Sequence, residues 1–137
     1  MPYIDPERDQ FNAFKELPCD QPVNMLNLVK LRKNVVYADG TETTGAEAYS
    51  TYSLKSGPFF QRAGGRIIWR GEPQVMLIGP QEEAWDLAFI ARYPTASAFL
   101  EMITDPDYQV VMKHRQAAVE TSRLLRCAEL ECDADFG

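Results

Sequence analysis

The sequence has few of the residues from which metal and nucleotide sites are built. Its 137 residues include one histidine, His114, and three cysteines, Cys19, Cys127 and Cys132, that form no CxxC pair. A transition-metal site would therefore depend on carboxylates or on thiols without ligand spacing. Neither the Gly-x-Gly-x-x-Gly pattern nor the Walker pattern occurs. We expect no bound metal, haem, flavin or nicotinamide, and the odd number of scattered thiols indicates free cysteines in a reducing compartment.

A basic surface and a long apolar run are also missing. Acidic residues outnumber basic ones by 20 to 14, which gives a formal net charge of -6. Such a surface repels phosphate backbones, so we expect no nucleic-acid partner. No apolar run approaches the length of a membrane span, and residues 1–5 lack the basic start and apolar stretch of a secretory signal. The sequence therefore predicts a cytoplasmic protein without a membrane partner.

The composition is that of an ordinary folded protein. Hydrophobic residues make up 45% of the chain and charged residues 25%. A chain of this length is expected to form one domain. We divide it into an N-terminal helix and connector over 1–21, a folded domain over 22–130 and an acidic C-terminal tail over 131–137.

The first elements are a short helix and an apolar strand. Asp5 as N-cap and Pro6 at the first helical position predict a helix over 6–16. The run Val23–Leu31 is dense in apolar residues and predicts a central strand. Leu26 and Leu28 lie on the face opposite to Met25, so both faces of this strand are apolar and something must cover each side of the sheet.

A hairpin and a helix follow. Asp39-Gly40 predicts the tight turn of a small hairpin. Thr44 and Glu47 have the spacing of a capping box and predict a helix start. We expect Gly57-Pro58 to interrupt or restart this helix and Gly64-Gly65 to end it with a left-handed C-cap.

The second half of the chain alternates strands with a broken helix. Apolar runs predict strand over 66–70 and 75–78, as one bent strand or two, and an antiparallel partner over 85–93. A helix follows, and Asp105-Pro106 restarts it with a new cap and a proline at the first position. The run 122–130 predicts the last strand. The helices of this half carry apolar residues on one stripe, which is typical of core packing.

This order of elements predicts an α+β fold of ferredoxin-like topology. It is the split βαβ arrangement with a four-stranded antiparallel sheet, and right-handed crossovers place both main helices on one face. The other face of the sheet would be bare unless a second copy covers it. We therefore expect a homodimer that is held together by packing of the two sheet faces.

Several short motifs are spread over the predicted domain: Met25-Leu26-Asn27-Leu28, Thr44-Gly45 through Ala48-Tyr49 and Tyr52, Gly64-Gly65, Ile78-Gly79-Pro80, Trp85-Asp86, Tyr93-Pro94, Asp105-Pro106 with Tyr108, and His114-Arg115. With these motifs, the residues over roughly 22–130 resemble the DUF1330 family of uncharacterised dimeric α/β-barrel proteins. The resemblance implies the dimeric barrel and little chemistry, because no general activity is established for that family. Its fold is similar to that of cofactor-independent monooxygenases, haem-degrading enzymes and lactone isomerases, but a fold does not carry a function.

The pair His114-Arg115 offers the most versatile chemistry. His114 can move protons near neutral pH as a catalytic base, and Arg115 can hold a carboxylate or enolate in a bidentate grip. Adjacent helical residues point about 100° apart, so at most one of them faces a pocket. Either residue can instead be an ordinary flank of an amphipathic helix.

Five other residues are candidates for the site, each with a structural alternative. Asp86 can be a catalytic base, or a hydrogen-bonded residue at the end of a strand; Trp85 points to the opposite face. Asn27 lies within the most apolar strand and needs a partner, which is a ligand, a backbone group or water. Tyr49 and Tyr52 share a helix face, where their phenols line a cavity or their rings pack in the core.

Two functions follow from these residues. The first is a cofactor-independent enzyme, an oxygenase or isomerase, that acts on a small aromatic or enolisable compound. The second is a non-catalytic dimeric module that binds a small planar or anionic molecule. The first requires a titratable group inside a pocket, whereas the second requires only an apolar pocket with hydrogen-bonding groups.

Overall fold

A computed structural model describes residues 2–136; Met1 and Gly137, the ends of the predicted N-terminal segment and acidic tail, lie outside the described residues. The described residues form four helices and six strands. In chain order these are α1 Arg8–Glu16, β1 Val23–Leu31, β2 Asn34–Val36, β3 Glu42–Thr44, α2 Gly45–Arg62, β4 Arg66–Gly71, β5 Leu87–Tyr93, α3 Ala96–Thr104, α4 Pro106–Ala118 and β6 Val119–Cys127.

The main sheet has four strands in the order β4-β5-β1-β6, and every neighbouring pair is antiparallel. The apolar strand β1 is central, as its sequence predicts, and Asn27 lies opposite Phe89 of β5 and Leu124 of β6. The strand order and the two connecting helical segments confirm the α+β, ferredoxin-like fold.

The helices cover one face of this sheet. Alternate residues of β1, Val23, Met25 and Val29, are buried, and the first two belong to a cluster with Phe99 of α3 and Tyr108 of α4. The intervening residues of β1 lie on the other face, which we call the outer face. Because side chains alternate along a strand, Asn27 shares the helix-covered face with Met25.

The predicted helix starts and stops in the middle of the chain are confirmed. Thr44 caps α2 by accepting a hydrogen bond from the Glu47 amide at 3.1 Å. Asp105 caps α4 through the Asp107 amide at 2.8 Å. Gly64 ends α2 with a φ angle of 76°, the left-handed conformation that favours glycine.

The predicted interruption of α2 at Gly57-Pro58 is wrong. The helix continues from Gly45 to Arg62 with Pro58 inside it. Phe59 and Phe60 pack against the core cluster directly after the proline. This packing outweighs the loss of one backbone donor at Pro58.

The first helix begins later than predicted. The N-cap of α1 is Glu7, and its side chain makes no capping hydrogen bond. Asp5, which the sequence predicts as the cap, instead accepts hydrogen bonds from the amide of Gln116 on α4 at 3.2 Å. A tertiary contact has therefore replaced the local cap.

The predicted strand over 75–78 is also wrong. The chain is irregular between β4 and β5, and Val75, Leu77 and Ile78 are 82%, 87% and 90% exposed. Pairing of β4 with β5 ends at Gly71 and Ala88, so the segment has no neighbouring strand to satisfy its backbone groups.

Two strand boundaries differ from the predicted ones. Strand β5 begins at Leu87, where it starts to pair with Val29, rather than at Trp85. Strand β6 is Val119–Cys127 instead of 122–130. Its first residue, Val119, follows directly on α4 and pairs with Leu31, so the pairing with β1 starts the strand three residues earlier than the sequence predicts.

Candidate functional site

A large open cleft of 2240 Å³ lies between the helix-covered face of the sheet and the helices. Strand β1 contributes Asn27, α2 contributes Tyr49 and Tyr52, and α4 contributes Arg115. Residues of α1 and of the segment before it also line the cleft. Four of the seven residues that the sequence predicts for a site thus meet in one place, although they are distant in sequence.

Arg115 lies in the last turn of α4 and is half-buried. Its guanidinium donates hydrogen bonds to the backbone oxygen of Ile4 at 2.5 Å and to the hydroxyl of Ser122 at 3.2 Å. Among the salt bridges found in residues 2–136, none involves Arg115. The cleft therefore contains a cation whose protein partners are neutral oxygen atoms.

Three phenols form one wall of the cleft. The hydroxyls of Tyr52 and Tyr108 are 2.5 Å apart, and the ring centroids of Tyr49 and Tyr52 are 5.5 Å apart. Burial raises the pKa of Tyr49 and of Tyr108 far above the usual range, and Arg115 opposes this only in part. Both phenols are therefore neutral at physiological pH and act as hydrogen-bond donors or acceptors.

Tyr108 is a cleft residue that the sequence assigned only to core packing. It is 4% exposed, and it lies seven residues before Arg115 on α4. Two residues seven positions apart lie on the same face of a helix, and this spacing is the signal that would have placed Tyr108 beside Arg115. No sequence pattern indicates Ser122, because its position depends on the register between β6 and β1.

Asn27 lies on the floor of the cleft and is half-buried. Its side-chain amide donates a hydrogen bond to the backbone oxygen of Met25 at 3.0 Å. A backbone partner, one of the expected alternatives, therefore holds the amide in a strand that is otherwise apolar.

His114 faces the other flank of α4. Its Nδ1 atom is 2.8 Å from the hydroxyl of Tyr37, in a shallow groove of 570 Å³ beside the β2–β3 hairpin. Burial lowers the pKa of His114, and the ammonium groups of Lys55 and Lys113 lower it further. The imidazole is therefore neutral near pH 7, and it does not line the cleft that contains Arg115.

Asp86 and Trp85 lie at the end of the sheet and do not line the cleft. The Asp86 carboxylate accepts a hydrogen bond from the Leu31 amide at 2.7 Å, and the Asp86 amide donates to the Val29 oxygen at 2.8 Å. Trp85 packs against the guanidinium of Arg123, 5.2 Å from its ring centroid. Both residues thus have structural contacts where they lie.

The described residues contain neither a cluster of metal ligands nor a helix that could cross a membrane. In residues 2–136, His, Cys, Asp and Glu side chains form no group of three suited to a metal ion. Over the same residues, no helix combines the length and the apolar character that crossing a bilayer requires.

The fold is shared with several solved structures. The RPA0582 protein of unknown function from Rhodopseudomonas palustris is 52% identical to this chain, and the match covers 96% of this chain and 100% of that one with a TM-score of 0.92. SnoaB, a cofactor-independent oxygenase from Streptomyces nogalater, is 16% identical over 84% of this chain and 99% of its own, with a TM-score of 0.54. A hydroxynitrile lyase from Passiflora edulis is 14% identical over 83% and 98%, with a TM-score of 0.51. The last two similarities show the fold alone.

The family is shown by the sequence itself. A family model described as a domain of unknown function, DUF1330, matches residues 38–126, which is more than half of the chain. No curated protein matched the sequence. The family match and the 52% identity to the Rhodopseudomonas palustris protein confirm the resemblance seen in the sequence. This chain belongs to the DUF1330 family.

Proposed function

We propose that this protein binds a small, planar, anionic molecule in the cleft, with Arg115 holding the anionic group. The observation that carries the proposal is the half-buried guanidinium, whose partners among residues 2–136 are neutral oxygens and which lies in a cleft with Tyr49, Tyr52 and Tyr108. A cation that is partly removed from water and has no carboxylate partner attracts an anion from solution.

The chemistry of the cleft limits what this anion is. A guanidinium is planar and weakly hydrated, so it suits a carboxylate or an enolate that it can grip with two hydrogen bonds. The phenols offer hydrogen bonds at their hydroxyls and aromatic faces for a flat apolar body. An aromatic carboxylic acid combines these features. A cleft of this kind, lined by apolar and aromatic groups with a few polar ones, is typical of small-molecule sites.

Binding without catalysis is favoured over a reaction because of where the predicted bases lie. His114 is in the groove on the other flank of α4, and Asp86 caps the end of the sheet. Neither lines the cleft that contains Arg115. A cofactor-independent reaction on an enolisable compound needs a group that accepts a proton beside the ligand.

A cofactor-independent enzyme of the oxygenase or isomerase type is the second candidate. The hydrogen-bonded hydroxyls of Tyr52 and Tyr108 favour it, because two phenols beside a guanidinium can stabilise the oxygen of an enolate. The fold similarity to an oxygenase described as cofactor-independent is compatible with this. The test is exchange of the α-protons of 2-tetralone in deuterated buffer. Exchange above the buffer rate that Tyr52→Phe slows would favour the enzyme, and exchange at the buffer rate would favour the binding module.

The binding proposal is tested with 2-naphthoate, a planar aromatic carboxylate, and its neutral amide. We expect the wild type to bind the acid more tightly than the amide. Arg115→Ala should weaken binding of the acid by roughly tenfold or more, since a hydrogen bond to a charged group contributes about 1.5–3 kcal/mol. Arg115→Lys should recover part of this loss, because it restores the charge without the planar fork.

The matched control for this experiment is His114→Gln, next to Arg115 on the same helix. It should leave the dissociation constant of 2-naphthoate unchanged. Calorimetric titration measures all of these constants. The proposal fails if the acid and the amide bind equally well, or if Arg115→Ala binds the acid as the wild type does.

We also propose that the protein assembles as a homodimer that pairs the outer faces of two sheets. Residues of this face include Leu26 and Leu28 of β1, Trp69 of β4, which is 52% exposed, and Leu125 of β6, which is 58% exposed. The helices pack on the opposite face. Covering these side chains with the same face of a second copy removes apolar surface from water at about 25 cal/mol per Å².

The charges of the outer face are compatible with self-association. Arg92 pairs with Glu129 at 2.9 Å and Arg123 pairs with Glu83 at 3.0 Å, so two of its arginines have partners within the chain. A second copy would not need to supply acidic groups for them. Like-charge repulsion between two identical faces is thereby reduced.

Light scattering tests the dimer. The wild type should have the mass of two chains at micromolar concentration, and Leu125→Glu should shift it towards one chain. Leu54→Glu is the control, because Leu54 is 80% exposed but lies on α2, away from the outer face. A monomeric wild type, or a Leu125→Glu variant that dimerises as the wild type does, contradicts the proposal.

A further inference from the structure

The chain from Tyr3 to Leu17 crosses the open side of the cleft, and we call it the N-terminal segment. Its first part is tied to β6 and α4. The Tyr3 oxygen accepts hydrogen bonds from the amide and the hydroxyl of Ser122, both at 2.8 Å. The Ile4 oxygen accepts from Arg115 at 2.5 Å, and the Asp5 carboxylate accepts from Gln116 at 3.2 Å.

The far end of the segment is held by an arginine and a pair of aromatic rings. The Arg126 guanidinium donates to the backbone oxygen of Phe14 at 3.0 Å and also to that of Pro18. It lies 4.6 Å from the centroid of the Phe14 ring, which packs against Phe99 at 5.4 Å. The Phe14 oxygen also accepts a hydrogen bond from the Leu17 amide at 3.3 Å, so Arg126 adds a tertiary contact to the C-terminal end of α1.

The middle of the segment is held much less firmly. No residue of α1 is buried, and the N-cap Glu7 makes no side-chain hydrogen bond. Phe11, Asn12 and Ala13 line the cleft, and Phe11 is not among the residues packed against the core clusters. A nine-residue helix has little stability of its own, so it depends on its two anchored ends.

The hydrogen bond between Arg115 and the N-terminal segment links movement of the segment to ligand binding. The group that would hold the ligand's anion now donates to the Ile4 carbonyl, a neutral acceptor. A carboxylate carries the opposite charge and can accept two parallel hydrogen bonds from a guanidinium, whereas a backbone carbonyl is neutral and has a single oxygen. An incoming anion therefore competes well for the same nitrogen.

We propose that the N-terminal segment is the movable roof of the cleft and selects aromatic ligands. This inference rests on the proposed function of the cleft. The ligand's carboxylate replaces the Ile4 oxygen on Arg115, and the segment closes again with the Phe11 ring against the planar body of the ligand. Phe11 is then a specificity-determining residue, because an aromatic ring stacks on it and an aliphatic chain gains less.

The first test measures the roof without a ligand, by amide hydrogen exchange of the full-length protein. We expect the amides of α1 to exchange at least tenfold faster than those of α4, because opening of the roof does not require global unfolding. The proposal of a movable roof is contradicted if the amides of α1 and α4 exchange at the same rate. This outcome would leave the binding proposal for Arg115 standing.

The second test uses Gln116→Ala, which removes the side chain bound to Asp5, and Gln61→Ala as control. Gln61 is an exposed glutamine of α2 that does not line the cleft. In stopped-flow experiments with 2-naphthoate, Gln116→Ala should increase the association and the dissociation rate severalfold, and Gln61→Ala should change neither. If the rates are unchanged in Gln116→Ala while binding still depends on Arg115, the roof proposal is contradicted and the binding proposal stands.

The third test compares 2-naphthoate with hexanoate, an aliphatic carboxylate. Phe11→Ala should weaken binding of 2-naphthoate about fivefold and leave hexanoate nearly unchanged, whereas Phe11→Tyr should keep the preference for the aromatic acid. Equal losses for both acids in Phe11→Ala overturn the role of Phe11 in specificity. If 2-naphthoate binds to the wild type with no dependence on Arg115, the proposed function fails and the roof fails with it.

Discussion

The two flanks of α4 differ in chemistry although they meet at adjacent residues. On one flank, Arg115 lies in a cleft of 2240 Å³ and donates to two neutral oxygens. On the other, His114 is 9% exposed and its Nδ1 atom bonds to the hydroxyl of Tyr37. The first side chain has room and charge for a ligand, whereas the second fastens the β2–β3 hairpin to the helix. Adjacency in sequence thus does not make the two residues parts of one site.

The two flanks of α4 also differ in charge; we call the flank that faces the cleft the cleft flank and the flank that faces the β2–β3 hairpin the hairpin flank. Arg115 keeps its charge in every environment that proteins provide, so it remains a site for an anion. His114 is held neutral by burial and by the lysines at 55 and 113, and the pKa of Tyr37 is raised by burial and then by Asp39. The hairpin flank is therefore a contact between two neutral rings.

The largest expected effect is a loss of stability on the cleft flank of α4. Tyr108 is 4% exposed and packs with Phe59 and Tyr52, so Tyr108→Ala should lower the free energy of unfolding by about 3–5 kcal/mol. Tyr108→Phe keeps the ring and removes the hydrogen bond to Tyr52, and it should cost only about 1 kcal/mol. Urea unfolding measures both. Similar losses in the two variants would show that the ring is not part of the core.

A smaller effect is expected on the hairpin flank. Tyr37→Phe removes the hydroxyl that bonds to His114 and should lower the free energy of unfolding by about 1 kcal/mol. It should not change the binding of 2-naphthoate. Tyr3→Phe is the control for stability, because no hydrogen bond of the Tyr3 hydroxyl was found among the described residues. The distinction between the two flanks is contradicted if Tyr37→Phe weakens binding of 2-naphthoate as much as Arg115→Ala does.

The parts of the fold that were predicted correctly depend on local chemistry. Thr44 and Asp105 are side chains that cap the helix they precede, and Gly64 allows the turn that ends one. Strand β1 is predictable because a short run of branched apolar residues, with apolar side chains on both faces, is typical of a central strand. Predictions failed where a tertiary contact decided, as at Asp5, which bonds to Gln116, and at 75–78, which has no strand beside it.

The candidate site was predicted only in part for a similar reason. The sequence identifies the residue types, and a helical spacing relates Tyr49 to Tyr52 and Tyr108 to Arg115. It does not fix the rotation of α4 about its axis, which decides whether His114 or Arg115 faces the sheet. That rotation depends on how α4 packs against α2 and the sheet, and no local signal reports it.

The smallest effect concerns the pH dependence of stability, and it isolates the hairpin flank because His114 is the only histidine of the chain. In the folded protein the pKa of His114 is lowered from its ordinary value of 6.5, mainly by burial and then by Lys55 and Lys113, although Asp39 and Glu47 also line its groove. As the pH falls, the unfolded chain therefore takes up the proton first, and the difference in bound protons lowers the free energy of unfolding. The stability that neutral His114 contributes is complete above its unfolded pKa and is lost as the pH falls towards the lower folded pKa. We expect urea unfolding of the wild type to show this loss between about pH 6.5 and about pH 5.5, where carboxylates and the terminal amine hardly titrate. His114→Gln should remove the slope in this range. A wild type whose stability does not change there, or a folded-state pKa above 6.5 from titration of the imidazole resonances, would show that the lysines and burial do not control this flank.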